Sequence, residues 1–556
     1  MAGEPRWEAA QSAIREGLVT SARTMGVENP QTWIEVMEPT EEGHGDFTSS
    51  AAFRLSKVLG QSPAVIARRL VGGWPAGPMI ERMEVAGPGF INFWLDRHWL
   101  AGELTEAVTR ADTYGIRAAR GERVLIEFVS ANPTGPLVVV NGRAAALGDS
   151  LARIFQANGY AVDREFYVND AGQQLQKLGQ AMAIRLRELA GDPLPDPWPE
   201  GVYPGEYVRD LAEAYRALTP DWAEHALDAE RTEALGAFCA DRLRRQQEQE
   251  LERFGVHFDR WFSERALREA GAPERMVAEL EGRGVLYRED GAVWFRSAQF
   301  GDQKDYVVVK SNGEFTYVVP DAAYHTDKFE RGYDIIIDLL GPDHHGYKRR
   351  MQAMMTALGL PAERLEMQII QLVRLLRGGK VVRMSKRGGD FVTLAELIDE
   401  VGVDPARWFF LERSADTPMD FDLDLAQMKT QDNPVYYVQY AGARIHSVLR
   451  AYQGLAANDP EAIDPAAFRN PLEHALIRDV ARLPAVLRRA GEQRAPQLIV
   501  HYLAEIAGHF HGFYRQHRIL EEAPAVRRAR IELIRAVLVV ITQAMGVIGV
   551  SVPERM

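Results

Sequence analysis

Residues Arg123–Tyr167 read RVLIEFV, SANPTGP, LVVVNGRAAALGDSLARIFQANG and YAVDREFY in succession, and this stretch decides the fold. The opening run is short, apolar and β-branched. Ser-Ala-Asn-Pro-Thr-Gly-Pro stops it, which is the pattern of a buried strand followed by a turn. Leu147, Leu151, Ile154 and Phe155 then recur at helical spacing, and Gly159 suits the position just past a helix C-terminus. Tyr160–Val168 reads as a second strand. Strand, loop, helix, strand is a βαβ unit and the start of a parallel sheet. Its loop would turn backbone N–H groups and a helix N-terminus toward an anion. The loop carries neither G-x-G-x-x-G nor G-x-x-x-x-G-K-[ST], so dinucleotide and P-loop modes of binding lose support.

Outward from this unit, the N-terminal side suggests a separate α+β domain over residues 1–112. Trp7–Met25 is amphipathic, Gly43-His44-Gly45-Asp46-Phe47 is a turn, and Ser49–Leu59 and Pro63–Leu70 are helical. Glu84–Leu95 forms a strand pair around Gly87-Pro88-Gly89. On the C-terminal side, Gln173–Ala190, Tyr207–Arg216 and Ala226–Phe254 are helical. A Pro-rich connection around 192–201 lies among them, and residues from about 171 to 285 read as an insertion without parallel-sheet character. Strands return at Val293–Arg296 and Asp305–Lys310. Tyr333–Leu340 is a fully buried strand, and Arg364–Val373 continues the sheet to about 428 as its second half. From 429 onward four amphipathic helices predict a bundle, with Pro471 and Pro524 placed as first helical residues.

Composition restricts the function classes. The chain has 556 residues and a formal net charge of −13, with one cysteine, Cys239. A single cysteine excludes an intramolecular disulfide and a multi-cysteine zinc site and fits a reducing, cytoplasmic compartment. No apolar run is long enough to span a membrane, and the N-terminus lacks a signal-peptide pattern. The charge is uneven. Residues 431–556 hold 15 Arg, no Lys and 12 acidic residues, a net of +3 against −16 for the rest. An Arg-only basic region is compatible with phosphate contacts, and equally with a solvated helical surface.

Glu-Phe-Val-Ser-Ala-Asn-Pro-Thr-Gly-Pro-Leu at 127–137, with Gly142 and Arg143 after it, resembles arginyl-tRNA synthetase, a class I aminoacyl-tRNA synthetase. Arg383-Met384-Ser385-Lys386-Arg387 resembles the mobile basic loop of that class, with Arg in place of the first Lys. Asn433–Arg444 and the ending Val552-Pro-Glu-Arg-Met resemble the family's anticodon-binding domain. The resemblance spans His44 to the last residue. It implies an α/β fold: a class I Rossmann-like parallel-sheet catalytic domain over 113–428, an N-terminal α+β domain contacting tRNA, and a C-terminal all-α bundle over 429–556. The implied reaction joins L-arginine to ATP as arginyl-adenylate and transfers the arginyl group to tRNA(Arg), with tRNA bound before activation.

Residue by residue, the resemblance implies arginine contacts at Glu127, Asn132, Tyr317, Asp321 and His344, because a planar guanidinium is best held by carboxylates. Lys386, Arg383 and Ser385, with Asn141, would act on the phosphates. Val138, Val140, Asn141, Gly142, Arg143, Met384 and Lys386 would border ATP. His44, Tyr436, Arg444 and Arg515 would contact tRNA. Magnesium would accompany ATP as substrate, no protein metal site is readable, and the chain is expected to be a monomer. One departure stands out. The family's His-x-Gly-His is here Val138-Val139-Val140-Asn141. Losing a donor that acts on the transition state costs on the order of 2.7–4 kcal/mol. A working variant loop, a slow enzyme and a binding paralogue therefore all stay open. Retention of Glu127, Asp321 and Lys386 favours an active enzyme.

Overall fold

The computed structural model describes residues 5–39, 43–74, 79–224, 227–342, 346–382 and 392–556. The N-terminal domain runs α1 (Arg6–Thr24), β1 (Phe47–Ser49), α2 (Ala51–Leu59), α3 (Pro63–Gly72), β2 (Ile80–Ala86), β3 (Phe90–Leu95) and α4 (Arg97–Arg110). Its antiparallel sheet has the order β1-β3-β2. The turn before β1 is tied down from the sheet: the Asp46 carboxylate accepts from the Leu95 N–H at 2.7 Å. Gly45 has φ +89°, and a Cβ there would meet the Phe93 carbonyl at 2.5 Å, so only glycine fits. Helix α4 was not anticipated, although Asp96 caps it through the His98 and Trp99 N–H groups.

The central sheet uses β4 (Arg123–Glu127), β5 (Ala161–Val168), β6 (Arg260–Ser263), β10 (Ile335–Leu340) and β11 (Leu365–Ile369). All five strands are parallel, in the order β11-β10-β4-β5-β6. Helix α5 (Val139–Ala157) joins β4 to β5, as the βαβ reading requires. Chain order reverses between β4 and β10, and in such sheets ligands bind outside the carboxyl ends of the strands at that point. The expectation that 171–285 lacks parallel-sheet character fails at β6. Four residues of mixed polarity at a sheet edge carry too little periodicity to be recognised. The remaining core-domain elements are β7 (Leu286–Glu289), β8 (Ala292–Phe295) and β9 (Tyr306–Val309) in a second sheet; β12 (Val373–Arg377), β13 (Lys380–Val381) and β14 (Met419–Asp422) in a third; and helices α9 (Glu264–Glu269), α10 (Ala272–Gly282), α11 (Val318–Glu330), α12 (Tyr347–Ala357), α13 (Leu394–Val401), α14 (Val403–Leu411) and α15 (Leu423–Gln427).

Between β5 and β6 stand α6 (Gln173–Ala190), α7 (Glu206–Leu218) and α8 (Ala229–Arg253). They bury a core of their own, including Leu178, Met182, Leu186, Val208, Leu235 and Leu243, apart from the main core. Helices α6 and α8 touch at backbone distance. A Cβ on Gly179 would lie 1.9 Å from the Thr232 carbonyl oxygen, and one on Gly236 would lie 2.3 Å from that of Leu175.

The C-terminal helices α16 (Pro434–Tyr452), α17 (Pro471–Gln493), α18 (Gln497–Gln516) and α19 (Pro524–Val547) form the expected bundle. Arg407 fixes it to the catalytic domain. Its fully buried guanidinium donates to Asp149 at 2.6 Å, to the Ile548 carbonyl at 2.9 Å and to the Phe254 carbonyl at 3.2 Å. It thereby joins α5, the end of α8 and the end of α19. Removing one partner of a buried ion pair costs about 3–5 kcal/mol. Arg407→Met is expected to lower the unfolding free energy by about that amount in urea titration, and a change near zero would contradict the assignment. The N-terminal domain meets α17 through Arg488 to Glu8 at 2.8 Å and Arg482 to Glu38 at 3.0 Å.

Candidate active site and tRNA-contact surfaces

At the carboxyl end of β4, Glu127 lies in register with Asp338 on β10. Two carboxylates side by side in a buried sheet repel, and the sequence compensates with Lys328 of α11. Its ammonium is fully buried and reaches Glu127 at 2.5 Å and Asp338 at 2.6 Å. Burial opposes the Lys328 charge, but Asp338 and Glu127 outweigh it and raise its pKa. His325 Nε2 lies 2.7 Å from Asp338, and its Nδ1 lies 2.7 Å from the Asp321 carbonyl. Next to this saturated group, Asp321 differs. Burial pushes its carboxyl up to about 6, with Glu264 and Glu127 adding repulsion; His325 and a hydrogen bond from Tyr347 act the other way. Asp321 forms no ion pair with Lys or Arg among the described residues. The charged form of this carboxylate, at a switch point and beside Glu127 and Glu264, is therefore disfavoured unless a cation joins it.

Lys328, Asp338, His325 and Glu264 were missed as site residues. The readable signal was Asp338, an acid in the centre of the apolar run Ile-Ile-Ile-Asp-Leu-Leu, since an ionised side chain in a buried strand is almost always paired.

The loop after β4 is strained. Val129 has φ +67° and Ser130 has φ +41°, positions that cost about 1–3 kcal/mol each for non-glycine residues. Ser130 holds the bend, donating to Glu127 at 2.8 Å and accepting from the Tyr167 N–H at 3.1 Å. Asn132 is exposed on this loop. Tyr317 caps α11 and is 64% exposed, with its hydroxyl accepting from Arg350. No described contact joins Tyr317 to Glu127 or Asp321. Its i, i+4 spacing from Asp321 does not bring the two together, because the Tyr317 side chain turns to solvent and to Arg350.

The variant loop enters α5 with Asn141 in a capping role, its Oδ1 accepting from the Val138 N–H at 2.9 Å. Residues 137–139 bridge to 392–394: the Leu394 N–H donates to the Leu137 carbonyl at 2.8 Å, and Val138 pairs with Thr393. The segment just after the Arg383–Lys386 motif is thereby held against the start of α5. Arg383, Met384, Ser385, Lys386 and His344 themselves lie outside the described residues. Val138 and Val140 are half-buried. Gly142 and Arg143 face inward. A Cβ on Gly142 would meet Leu394 at 2.6 Å, so this glycine permits helix packing. Arg143 is fully buried and donates to the carbonyls of Gln371 at 2.8 Å, Ser414 at 2.8 Å and Thr417 at 2.9 Å. Burial pushes its pKa down to about 10, and its bonds link α5 to the two segments flanking β12 and β14.

Three family descriptions match the chain in order: the arginyl tRNA synthetase N terminal domain over 9–95, the class I (R) tRNA synthetase catalytic domain over 103–193 and 228–429, and the DALR anticodon binding domain over 438–556. An arginine–tRNA ligase of Desulforamulus reducens is 43% identical over 99% of this chain and 98% of its own length. One of Symbiobacterium thermophilum is 46% identical, over 95% of this chain and 94% of its own length. The chain belongs to the arginyl-tRNA synthetase family. The structure of Thermus thermophilus arginyl-tRNA synthetase has the same fold, with a TM-score of 0.78 at 21% identity, covering 98% of this chain and all of that one.

As an arginyl-tRNA synthetase, the chain is a ligase that activates L-arginine with ATP and transfers it to tRNA. On its anticodon-binding bundle, Tyr436 stacks on Tyr440 at 6.1 Å between ring centroids, and Arg444 lies 4.5 Å from the Tyr440 ring and 4.6 Å from that of Tyr514. Exposed Arg515 lies near enough to His511 to disfavour its charge, after burial. The three bundle residues read from the sequence as tRNA contacts therefore share one surface of α16 and α18. His44 is exposed in the N-terminal domain. Among the described residues, Asp479, Glu505 and His509 could together hold a metal ion, but Arg482 already occupies the space between them, at 3.4 Å from Asp479 and 2.9 Å from Glu505. No described helix is long and apolar enough to cross a membrane.

Proposed function

We propose that arginine binds at the β4/β10 switch point with its guanidinium on Asp321, beside Glu127, and its ammonium or carboxylate on Asn132. The observation that carries this reading is the place of the Asp321 carboxyl, next to the Lys328–Glu127–Asp338 group at the switch point and without a Lys or Arg partner among the described residues; burial and its acidic neighbours push it up to about 6. A bound guanidinium removes that penalty, which makes a cationic side chain the preferred ligand. Tyr317 closes the rim, and His344 serves the substrate or the adenosine. ATP enters as its magnesium complex. Val138 and Val140 border the base; Lys386, with Arg383, Ser385 and Met384, covers the phosphates. Gly142 and Arg143 act by setting the loop rather than by touching the nucleotide. Residues 1–112 contact tRNA through a surface including His44, residues 113–428 carry the chemistry, and 429–556 read the anticodon through Tyr436, Arg444 and Arg515. The working form is a cytoplasmic monomer; the single buried thiol of Cys239 suits a reducing compartment.

Asn141 takes over part of the work of the missing histidines. Its oxygen braces Val138, while its amide nitrogen has no hydrogen bond among the described residues and can donate to a phosphate. Asn141→Ala is expected to lower kcat for aminoacylation by about 10- to 100-fold, with a smaller change in KM for arginine; an unchanged kcat would remove Asn141 from the chemistry. The test of the whole reading is charging of tRNA(Arg) with labelled arginine and ATP. Tight tRNA binding with no product would favour the binding paralogue instead.

A further inference from the structure

The strained loop at the arginine site is not held by the catalytic domain alone. Tyr207, on α7, donates its hydroxyl to the Thr134 carbonyl at 2.6 Å. Its ring packs on Gly135, where a Cβ would come within 3.7 Å of it. Gln247, on α8, is 1% exposed and gives its amide to two carbonyls of the same loop, Asn132 at 3.1 Å and Gly135 at 2.9 Å. The other end of that amide, Oε1, is buried without a hydrogen-bond partner. Leaving an acceptor unsatisfied is costly, so the side chain is placed for its two donor bonds. Three carbonyls of the substrate loop, those of Asn132, Thr134 and Gly135, are thus set by a helical unit with its own core. Helix α7 lies in 194–227, between the two parts of the chain that match the catalytic-domain description.

We propose that the helical insertion sets the conformation of the substrate loop through Tyr207 and Gln247, which act as positioning residues for arginine activation. Two consecutive non-glycine residues at positive φ make the loop a segment that relaxes unless it is held. Ser130 fixes the bend itself, and the insertion fixes the stretch that follows it, 132–135, from outside the sheet through hydrogen bonds to carbonyls. A displacement of α7 and α8 therefore moves Asn132 relative to Glu127 and Asp321. The inference rests on the reading of this loop as the arginine site.

The test is arginine-dependent exchange of pyrophosphate into ATP, with tRNA present, in the full-length protein. Tyr207→Phe and Gln247→Met remove the donors with little change of volume, and Tyr215→Phe on the same helix serves as the control. Each of the first two is expected to lower kcat/KM for arginine about tenfold, the worth of one or two buried hydrogen bonds. KM for tRNA and the Tm stay at parent values, and the control is unchanged. Asn132→Ala is measured alongside. If Asn132→Ala is impaired while Tyr207→Phe and Gln247→Met keep the parental kcat/KM, the positioning role is overturned and the site reading stands. If Asn132→Ala is also unchanged, the site reading fails and the inference fails with it. Losses that track a fall in Tm or a rise in KM for tRNA overturn positioning in favour of a structural role.

Discussion

Asp321→Asn is expected to lower kcat/KM for arginine by about 10²–10³-fold while leaving the Tm equal to or above that of the parent. The activity loss follows from removing the anionic partner of a desolvated guanidinium, a change that costs about 2–5 kcal/mol in buried charge pairs. The stability result has the opposite sign because the ligand-free carboxylate is unfavourable where it sits. Its folded pKa of about 6 lies above the ordinary 3.8. Its contribution to folding is therefore fully present below about 4 and is lost as the pH rises through about 6. At neutral pH the charged form destabilises the unliganded protein, and asparagine removes that charge. The same shift predicts that KM for arginine rises as the pH falls through about 6, since protonation removes the anion. A variant that loses stability in step with activity, or a KM flat from pH 7.5 to 5.5, would show that Asp321 does not receive the substrate cation.

Lys328→Met is expected to cost about 3–5 kcal/mol of folding free energy, because it leaves Glu127 and Asp338 adjacent, buried and without their shared cation. The penalty should depend on pH. In the parent, burial raises Asp338, but Lys328 and His325 hold it well below the ordinary carboxylate range. That stabilisation is present above about 4 and is lost as the pH falls further. In the variant the carboxylates can relieve their repulsion by taking up a proton, so its deficit relative to the parent narrows on acidification. Adding Asp338→Asn to Lys328→Met should restore part of the loss. Urea unfolding at pH 8 and pH 5.5 measures both effects. A deficit below about 1 kcal/mol, typical of an exposed pair, would mean that the ammonium is not a buried counter-ion.

The βαβ unit, the buried strand at 333–340 and the four-helix bundle were legible because each repeats a strong period or is bounded by proline and glycine. Strand β6 was not, since four residues at a sheet edge are placed by pairing with β5 rather than by their own pattern. Within the candidate site, Asp321 and Glu127 enter through the resemblance to the family's motif. Lys328 was not legible: a lysine on a helix reads as a solvated charge until the fold points it at two carboxylates. The burial of Arg143 was not legible for a related reason. An arginine one turn into the helix that begins at a candidate phosphate loop suggests an anion, yet packing of α5 against α13 and α14 turns it inward to backbone carbonyls. Tyr317 shows the limit of spacing arguments, because its side chain turns outward to Arg350 on α12. Each of these cases turns on an element distant in sequence: β5 for strand β6, and the packing partners for the side chains of Lys328, Arg143 and Tyr317.

Arginine-dependent exchange of pyrophosphate into ATP, measured with tRNA(Arg) present and across the natural amino acids, tests the central claim most directly. Exchange with L-arginine at ordinary enzyme rates, and none with lysine, is the result expected of a guanidinium site on Asp321 served by the Val138–Asn141 loop. No exchange with any amino acid, from a protein that is folded and binds tRNA, would contradict it.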